Sequence, residues 1–248
     1  MDGKSVKAIL FDLDNTLIET SRAGRVAIQK TSELLKSTLA LDDKTISSIC
    51  DEFQLKLFHE RFDPSAGRSI DEVRVGHWEE SIQAHVQEAG GSCSTHSLAA
   101  KCYYLWKKSR LEVLSLSPEI CSLLKQLRSR YKLLLLTNGE ARTQREKVEA
   151  VACEEFFDAI VIGGEHPEQK PYASIFTLCF NMLEVEAQDC IMVGDSLDTD
   201  IQGGFNARVR ATVWISSEGG PVPDGSVKPV YTIPTVLDLP DILQLLEQ

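Results

Sequence analysis

The second half of the chain alternates between short, almost wholly apolar runs and segments whose apolar residues recur at helical spacing. Short apolar strands separated by helices are typical of a parallel sheet with both faces covered. We therefore predict an α/β protein with a parallel sheet and helices on both faces. The expected elements are strands at 132–136, 159–162, 190–193 and 211–215, and helices at 141–152, 173–183, 199–207 and 235–246.

The first part of the chain holds one more strand-like run, 7–11, and then a long helical region. Far more residues separate Asp14 from Thr137 than the ~30 of one strand–helix–strand unit, which indicates an insertion. Apolar residues at helical spacing predict about four amphipathic helices there. We interpret 20–114 as a helical cap domain inserted into a core formed by 1–19 and 115–248.

Composition excludes several classes of protein. The net charge of -11 argues against a nucleic-acid binder, since such proteins present basic surfaces. No apolar stretch approaches the roughly 18 residues of a membrane span. The seven cysteines form no C-x-x-C pair, so we expect reduced thiols and a cytoplasmic location.

Candidate chemistry begins where the first strand ends. Asp12 and Asp14 are two residues apart, so their side chains project to the same side of the strand. Such a pair can bind Mg²⁺, and one carboxylate can attack phosphorus while the other transfers protons. The alternative is an ordinary polar strand end, because Asp and Asn are common turn residues.

Three further polar clusters follow predicted strands or precede a predicted helix. Ligands of an open parallel sheet bind at the carboxyl ends of its strands, so these clusters should converge with Asp12 and Asp14. Each cluster alone also fits a helix cap, a solvated lysine or a turn, but the ordered set indicates phosphate chemistry. The clusters are Thr137-Asn138-Gly139, Lys170-Pro171, and Gly194-Asp195-Ser196 with Asp200.

Each polar residue type suits a role at a phosphoryl group. The Thr137 hydroxyl and Asn138 can donate to phosphoryl oxygens, and Lys170 can neutralise the charge on the phosphoryl group and on an attacking carboxylate. Asp195 offers a metal a further carboxylate, and Asp200 can support that ligand from behind.

The ordered set resembles the four motifs of the haloacid dehalogenase-like phosphohydrolases. The resemblance covers the whole chain, including the inserted helical cap. It implies a Rossmann-like core, Mg²⁺ as the cofactor and a covalent aspartyl-phosphate intermediate. The matching residues are Asp12-Leu13-Asp14-Asn15-Thr16, Thr137-Asn138, Lys170, and Gly194-Asp195 with Asp200.

The resemblance also implies a role for each residue. Asp12 would be the nucleophile and a metal ligand, and Asp14 the general acid/base that supplies a backbone oxygen to the metal. Asp195 would complete the protein's metal ligands, with Asp200 behind them. The phosphoryl group would be held by Leu13, Asn15, Thr137, Asn138 and Lys170. Many members have Gly where this chain has Asn15, and Asn is the residue that best replaces Gly at unusual backbone angles.

Longer strings are similar to family members that act on a phosphorylated sugar acid. They include His77-Trp78-Glu79-Glu80 and Thr143-Gln144-Arg145-Glu146-Lys147. Such a substrate needs cations for its carboxylate, and arginine binds carboxylates with two parallel hydrogen bonds. The cap candidates are Arg68, Arg74, His77 and Arg110; they could instead be surface residues, and Trp78 is expected in the core.

Three alternatives stay open on the sequence. One is another capped phosphatase acting on a small sugar phosphate or on a phosphoglycolate-type ester, and another is a hexose-phosphate mutase. The third is a non-catalytic interaction module, against which stands the presence of Asp12, Asp14 and Asp195 together. We expect a small-molecule substrate, a monomer or weak dimer, and neither nucleic acid nor membrane as partner.

Overall fold

The computed structural model describes residues 5–88, 95–217 and 219–247. Contacts divide the chain into two compact units, Met1–Thr20 with Leu114–Gln248, and Ser21–Val113. Within the described ranges, none of the helices combines the length and the apolar character needed to cross a membrane.

The unit formed by the two chain ends contains a parallel sheet. Every pairing between neighbouring strands is parallel, so the predicted α/β fold class is confirmed. The strands of the described residues are β1 (Ala8–Phe11), β2 (Lys132–Thr137), β3 (Ala159–Ile162), β4 (Cys190–Gly194), β5 (Ala211–Ile215) and β6 (Tyr231–Ile233). Their order across the sheet is β3-β2-β1-β4-β5-β6.

The inserted unit consists of helices that bury aromatic side chains. Phe53 stacks on Trp78 with ring centroids 3.9 Å apart, and Trp106 meets Phe53 edge to face at 5.4 Å. Trp78 is fully buried, as the apolar spacing predicted. The α-helices among its described residues are α1 (Thr20–Thr38), α2 (Asp43–Phe58), α3 (Ile70–Glu88) and α4 (His96–Val113).

Successive strand residues point to opposite faces of the sheet, and the residues on each face are apolar. Both faces therefore have to be covered by other parts of the chain. Leu10 and Leu136 belong to a buried cluster with Phe176. The alternate residues Ile9 and Phe11 are also 0% exposed, although they face the other way. The remaining helices are α5 (Pro118–Arg128), α6 (Ala141–Val151), α7 (Ala173–Leu183), α8 (Gln202–Asn206) and α9 (Leu239–Leu246).

The structure differs from the sequence prediction near the carboxyl end. Strand β6 was not predicted; it is three residues long and pairs with β5 at the edge of the sheet formed by the described residues. The last helix begins at Leu239 rather than at 235, after a 3₁₀ turn at Val236–Asp238. Pro240 explains this start, because proline lacks a backbone N–H and fits only the first turn of a helix.

Candidate active site

The register of the sheet brings three polar strand ends to one edge. Phe11, the last residue of β1, lies opposite Leu135 on one side and Val193 on the other. The Asp12 N–H then donates to the Val193 carbonyl at 2.9 Å. The residues that follow β1, β2 and β4 therefore emerge together, as expected for a parallel sheet.

Three carboxylates converge at this edge. One oxygen from each of Asp12, Asp195 and Asp200 lies within 4.8 Å of the others. Asp12 and Asp200 are buried, and Asp195 is half-buried. Carboxylate oxygens at this spacing are ligands of the kind that hard divalent cations prefer.

Lys170 is buried between two of these carboxylates. Its Nζ lies 2.7 Å from Asp12 Oδ1 and 2.7 Å from Asp200 Oδ1. It also donates to the Leu136 carbonyl at 2.7 Å. The ammonium therefore donates hydrogen bonds to Asp12 and to the Leu136 carbonyl, and it pairs with Asp200 by charge.

The charges of the site do not balance within the protein. Burial raises the pKa of Asp12 to about 7, although the Lys170 ammonium acts in the opposite direction. Burial likewise raises the pKa of Asp195 to about 6, and the nearby Asp200 carboxylate adds to that effect. Burial alone would lower the pKa of Lys170, but the Asp12 and Asp200 carboxylates outweigh it and hold that pKa above its usual value. Three carboxylates against one ammonium leave negative charge that a cation would neutralise.

Asn138 holds the backbone of Lys170. Its Nδ2 donates to the Lys170 carbonyl at 2.8 Å, and its Oδ1 accepts from the Lys170 N–H at 3.0 Å. The contact of Asn138 with phosphate stays a prediction; the Asn138 carboxamide fixes the segment that carries the buried lysine. Thr137, the last residue of β2, is 1% exposed.

The loop after β4 depends on a glycine. A Cβ at Gly194 would lie 2.1 Å from Asp200 Oδ2, so any larger residue would displace the Asp200 carboxylate. Asp200 also accepts from the Ser196 N–H at 3.0 Å, and the Trp214 indole donates to the Asp195 carbonyl at 2.8 Å. These contacts fix the Asp200 carboxylate and the backbone of Asp195.

The turn after β1 contains a residue in the left-handed region. Asn15 has φ of 57°, a conformation that Asn adopts more readily than other non-Gly residues. Its N–H donates to the Ile18 carbonyl at 2.8 Å. The neighbouring Thr16 hydroxyl donates to Asp12 Oδ2 at 3.3 Å. Asn at this position is therefore compatible with the turn that the motif requires.

Lys147, Gln144 and Thr20 contact Asp14, although the sequence did not place them in the site. Lys147 Nζ lies 2.6 Å from Asp14 Oδ2, and Gln144 Nε2 donates to the same oxygen at 3.1 Å. Lys147 and Gln144 lie on α6, within residues 143–147, whose sequence is similar to that of family members but was given no role in the site. The sequence feature that could have revealed them is a glutamine followed one helical turn later by a lysine, on the helix directly after Thr137-Asn138.

The predicted substrate-binding residues of the inserted unit all contact other side chains or carbonyl groups of that unit. Arg74 pairs with Glu60 at 2.8 Å, and His77 Nε2 lies 3.3 Å from the same carboxylate. Arg68 donates to the Glu72 carbonyl at 3.2 Å. The Arg110 guanidinium lies over the Trp106 ring, 5.0 Å from its centroid.

A sequence model of the haloacid dehalogenase-like hydrolases matches residues 6–208, which include all of the motifs described above. The chain belongs to the haloacid dehalogenase-like hydrolase family. In this haloacid dehalogenase-like hydrolase, the carboxylates of Asp12, Asp195 and Asp200 lie close enough together to hold a metal ion.

Named relatives of this haloacid dehalogenase-like hydrolase match nearly its full length. It is 47% identical over 242 residues to the N-acylneuraminate-9-phosphatase of Rattus norvegicus, covering 98% of this chain and 95% of the relative. The human protein of the same name is 46% identical over equal shares. Among solved structures, the HAD-hydrolase YfnB of Bacillus subtilis has a TM-score of 0.69 at 23% identity, covering 97% of this chain and 99% of that one; this likeness concerns the fold alone.

Proposed function

We propose that this chain is a Mg²⁺-dependent phosphatase that hydrolyses N-acylneuraminate 9-phosphate to the free sialic acid and phosphate. The observation that carries the chemistry is the buried Asp12 carboxylate, paired with Lys170 within an acidic cluster. The substrate rests on the near-full-length identity of 47% with a relative of that name.

In the first step, Asp12 attacks phosphorus. Its carboxylate oxygen forms a bond to phosphorus while the bond from phosphorus to the sugar oxygen breaks, which leaves phospho-Asp12. Asp14 gives a proton to the departing oxygen, so that the sugar acid leaves as a neutral alcohol at that carbon. Lys170 stabilises the charge that develops on the phosphoryl oxygens.

In the second step, water hydrolyses the acyl phosphate. Asp14, now a carboxylate, takes a proton from the water as its oxygen bonds to phosphorus. The bond between phosphorus and Asp12 breaks, phosphate leaves and the Asp12 carboxylate returns. Asp14 is then protonated, as it was before the first step, so it loses one proton and regains one proton in each turnover.

The metal would be held by the side chains of Asp12 and Asp195 and by the Asp14 backbone carbonyl. When bound, Mg²⁺ supplies positive charge to the phosphoryl oxygens. Asp200 suits a supporting role, since it already contacts Lys170 and accepts from the Ser196 N–H. The carboxylate-rich cluster, with one lysine against three acids, is the observation that supports a divalent cation.

We further propose a cytoplasmic enzyme of sialic acid biosynthesis that acts as a monomer or weak dimer. The cysteines of the described residues are all free thiols, which supports a reducing compartment. Cys93 lies outside the described residues. The small-molecule substrate and the acidic net charge support the absence of a nucleic-acid partner.

The first prediction concerns substrate and metal. Phosphate release is measured with N-acetylneuraminate 9-phosphate beside hexose, triose and two-carbon phosphates, with Mg²⁺ and after chelation. We expect kcat/KM to be highest for the sialic acid ester and turnover to stop on chelation and return with Mg²⁺.

Each other result of that panel has a distinct meaning. A different preferred ester would keep the phosphatase and refute the substrate. Conversion of a phosphosugar to its isomer without phosphate release would indicate a mutase. A folded protein inert toward the whole panel would favour the non-catalytic interaction module.

The second prediction concerns recognition of the substrate's carboxylate by the inserted unit. We propose that at least one of Arg68, Arg74 and Arg110 contacts this carboxylate. Its Met variant should then raise KM for N-acetylneuraminate 9-phosphate by about tenfold or more, equivalent to losing one charge-assisted hydrogen bond. KM for a phosphate ester without a carboxylate should stay unchanged.

Controls separate recognition from folding. Arg74→Met also removes a buried partner of Glu60, so its unfolding midpoint is measured beside its kinetics. Lys101→Met, at an exposed position of α4, removes a cation without a predicted role. Unchanged KM for the sugar acid in all three arginine variants would contradict the proposal.

A further inference from the structure

The carboxylate of Asp14 is surrounded by donors. Lys147 Nζ lies 2.7 Å from Oδ1 and 2.6 Å from Oδ2, so one ammonium group binds both oxygens. Gln144 Nε2 donates to Oδ2 at 3.1 Å, and the Thr20 hydroxyl donates to Oδ1. Contacts to both oxygens restrict rotation of the carboxylate about its side-chain bonds.

The contact made by Lys147 is not a surface ion pair. The residue is 3% exposed, and Gln144, three residues earlier on the same face of α6, is 5% exposed. Burying an ammonium group is costly unless it is paired and hydrogen-bonded. Exposed ion pairs stabilise a structure little, whereas here the Lys147 side chain is buried and the Asp14 side chain is only partly exposed, so the contact holds both side chains in place.

The helix that carries Lys147 is fixed relative to the sheet edge. The Glu140 side chain caps α6 by accepting from the Arg142 and Thr143 N–H groups. Gln144 Nε2 also contacts the Asn138 carbonyl at 2.5 Å. Since the Asn138 side chain bridges the backbone of Lys170, polar contacts run continuously from the buried lysine to Asp14.

We propose that Lys147, assisted by Gln144, is a positioning residue that fixes the Asp14 carboxylate for proton transfer. This inference rests on the proposed function, in which Asp14 is the general acid/base. Proton transfer requires hydrogen-bond distance to the reacting oxygen. A misplacement of about 1 Å can reduce a rate about 100-fold, so a residue that sets the orientation of Asp14 affects the rate without touching the substrate.

The test uses the acidity of the leaving group. Kcat/KM covers the steps up to release of the alcohol, so it reports on the protonation that Asp14 performs. An alkyl phosphate needs that proton, whereas p-nitrophenyl phosphate releases a stable phenolate. In Lys147→Met we expect kcat/KM to fall about 100-fold for the best alkyl phosphate of the panel and at most a few-fold for p-nitrophenyl phosphate.

Conservative variants of Lys147 show whether the rate depends on the hydrogen bonds that orient Asp14 or only on the presence of a buried positive charge. Lys147→Arg, whose guanidinium can donate to both oxygens, should restore most of the alkyl phosphate rate. Lys147→Gln, which keeps N–H donors but removes the charge, should be intermediate. Unfolding midpoints are measured for all three variants; if Lys147→Met does not fold, the Arg and Gln variants decide.

Arg145→Met is the matched control. Arg145 lies on the same helix and pairs with Glu165 at 2.7 Å, with about half of its side chain exposed. Its loss removes a cation two residues from Lys147 and should change neither rate. A selective loss in this variant as large as that in Lys147→Met would overturn the assignment.

Asp14→Asn, measured in parallel, separates the positioning role of Lys147 from the general acid/base role of Asp14. If it shows the selective loss with alkyl phosphates and folded Lys147 variants do not, the positioning role is wrong and the proposed function stands. If Asp14→Asn turns over both esters at the wild-type rate, proton transfer lies elsewhere, and the proposed mechanism fails together with this inference. Equal losses for both esters in Lys147→Met would also overturn the positioning role.

Discussion

Asp12→Asn is expected to reduce kcat by more than about 10⁴-fold, because an amide cannot supply the anionic oxygen that attacks phosphorus. The variant should nevertheless be at least as stable as the wild type. Burial raises the pKa of Asp12, so the ionised carboxylate is disfavoured there, and a neutral group of the same shape removes that cost. Phosphate release and denaturant unfolding measure the two effects separately.

The remaining contacts make this variant interpretable. Lys170 keeps the Asp200 carboxylate and the Leu136 carbonyl as partners, so the substitution does not leave the ammonium unpaired. Asp224→Asn, at an exposed loop position, is the matched control and should retain both activity and stability. Normal kcat in Asp12→Asn would refute the phospho-aspartate scheme.

Lys170→Met is expected to lower both activity and stability. The ammonium lies 2.7 Å from Asp12 and 2.7 Å from Asp200, and it is 2% exposed. Its removal leaves two buried carboxylates without a cation, and breaking a buried pair in this way costs about 3–5 kcal/mol. Loss of the charge that faces the phosphoryl group should also lower kcat by at least about 10²-fold.

Two comparisons check the cause of the lost stability. Lys36→Met removes a solvent-exposed pair with Asp43 and should change the free energy of unfolding by less than about 1 kcal/mol. Adding Asp12→Asn to Lys170→Met should regain part of the lost stability, because one buried charge is then removed. If Lys170→Met unfolds at the wild-type denaturant concentration, the buried lysine does not hold the two carboxylates together.

Local elements were predictable where one periodic pattern covers the whole element. The strand at Ala159–Ile162 and the helix at Ala173–Leu183 form with the predicted bounds. Strand β6 escaped prediction because its three residues, Tyr231–Ile233, are too few to show a period, and its pairing with β5 defines it.

The sequence by itself determined the parallel sheet, the insertion and the set of polar strand ends, because spacing along one chain decides which side chains share a strand end or a helix face. Only the tertiary structure decided which charges meet. Lys170 lies between Asp12 and Asp200, Lys147 binds Asp14 from 133 residues away, and Arg74 pairs with Glu60. A lysine or arginine pattern does not specify a partner, because the partner depends on which helix packs against which edge and on how much water that packing removes.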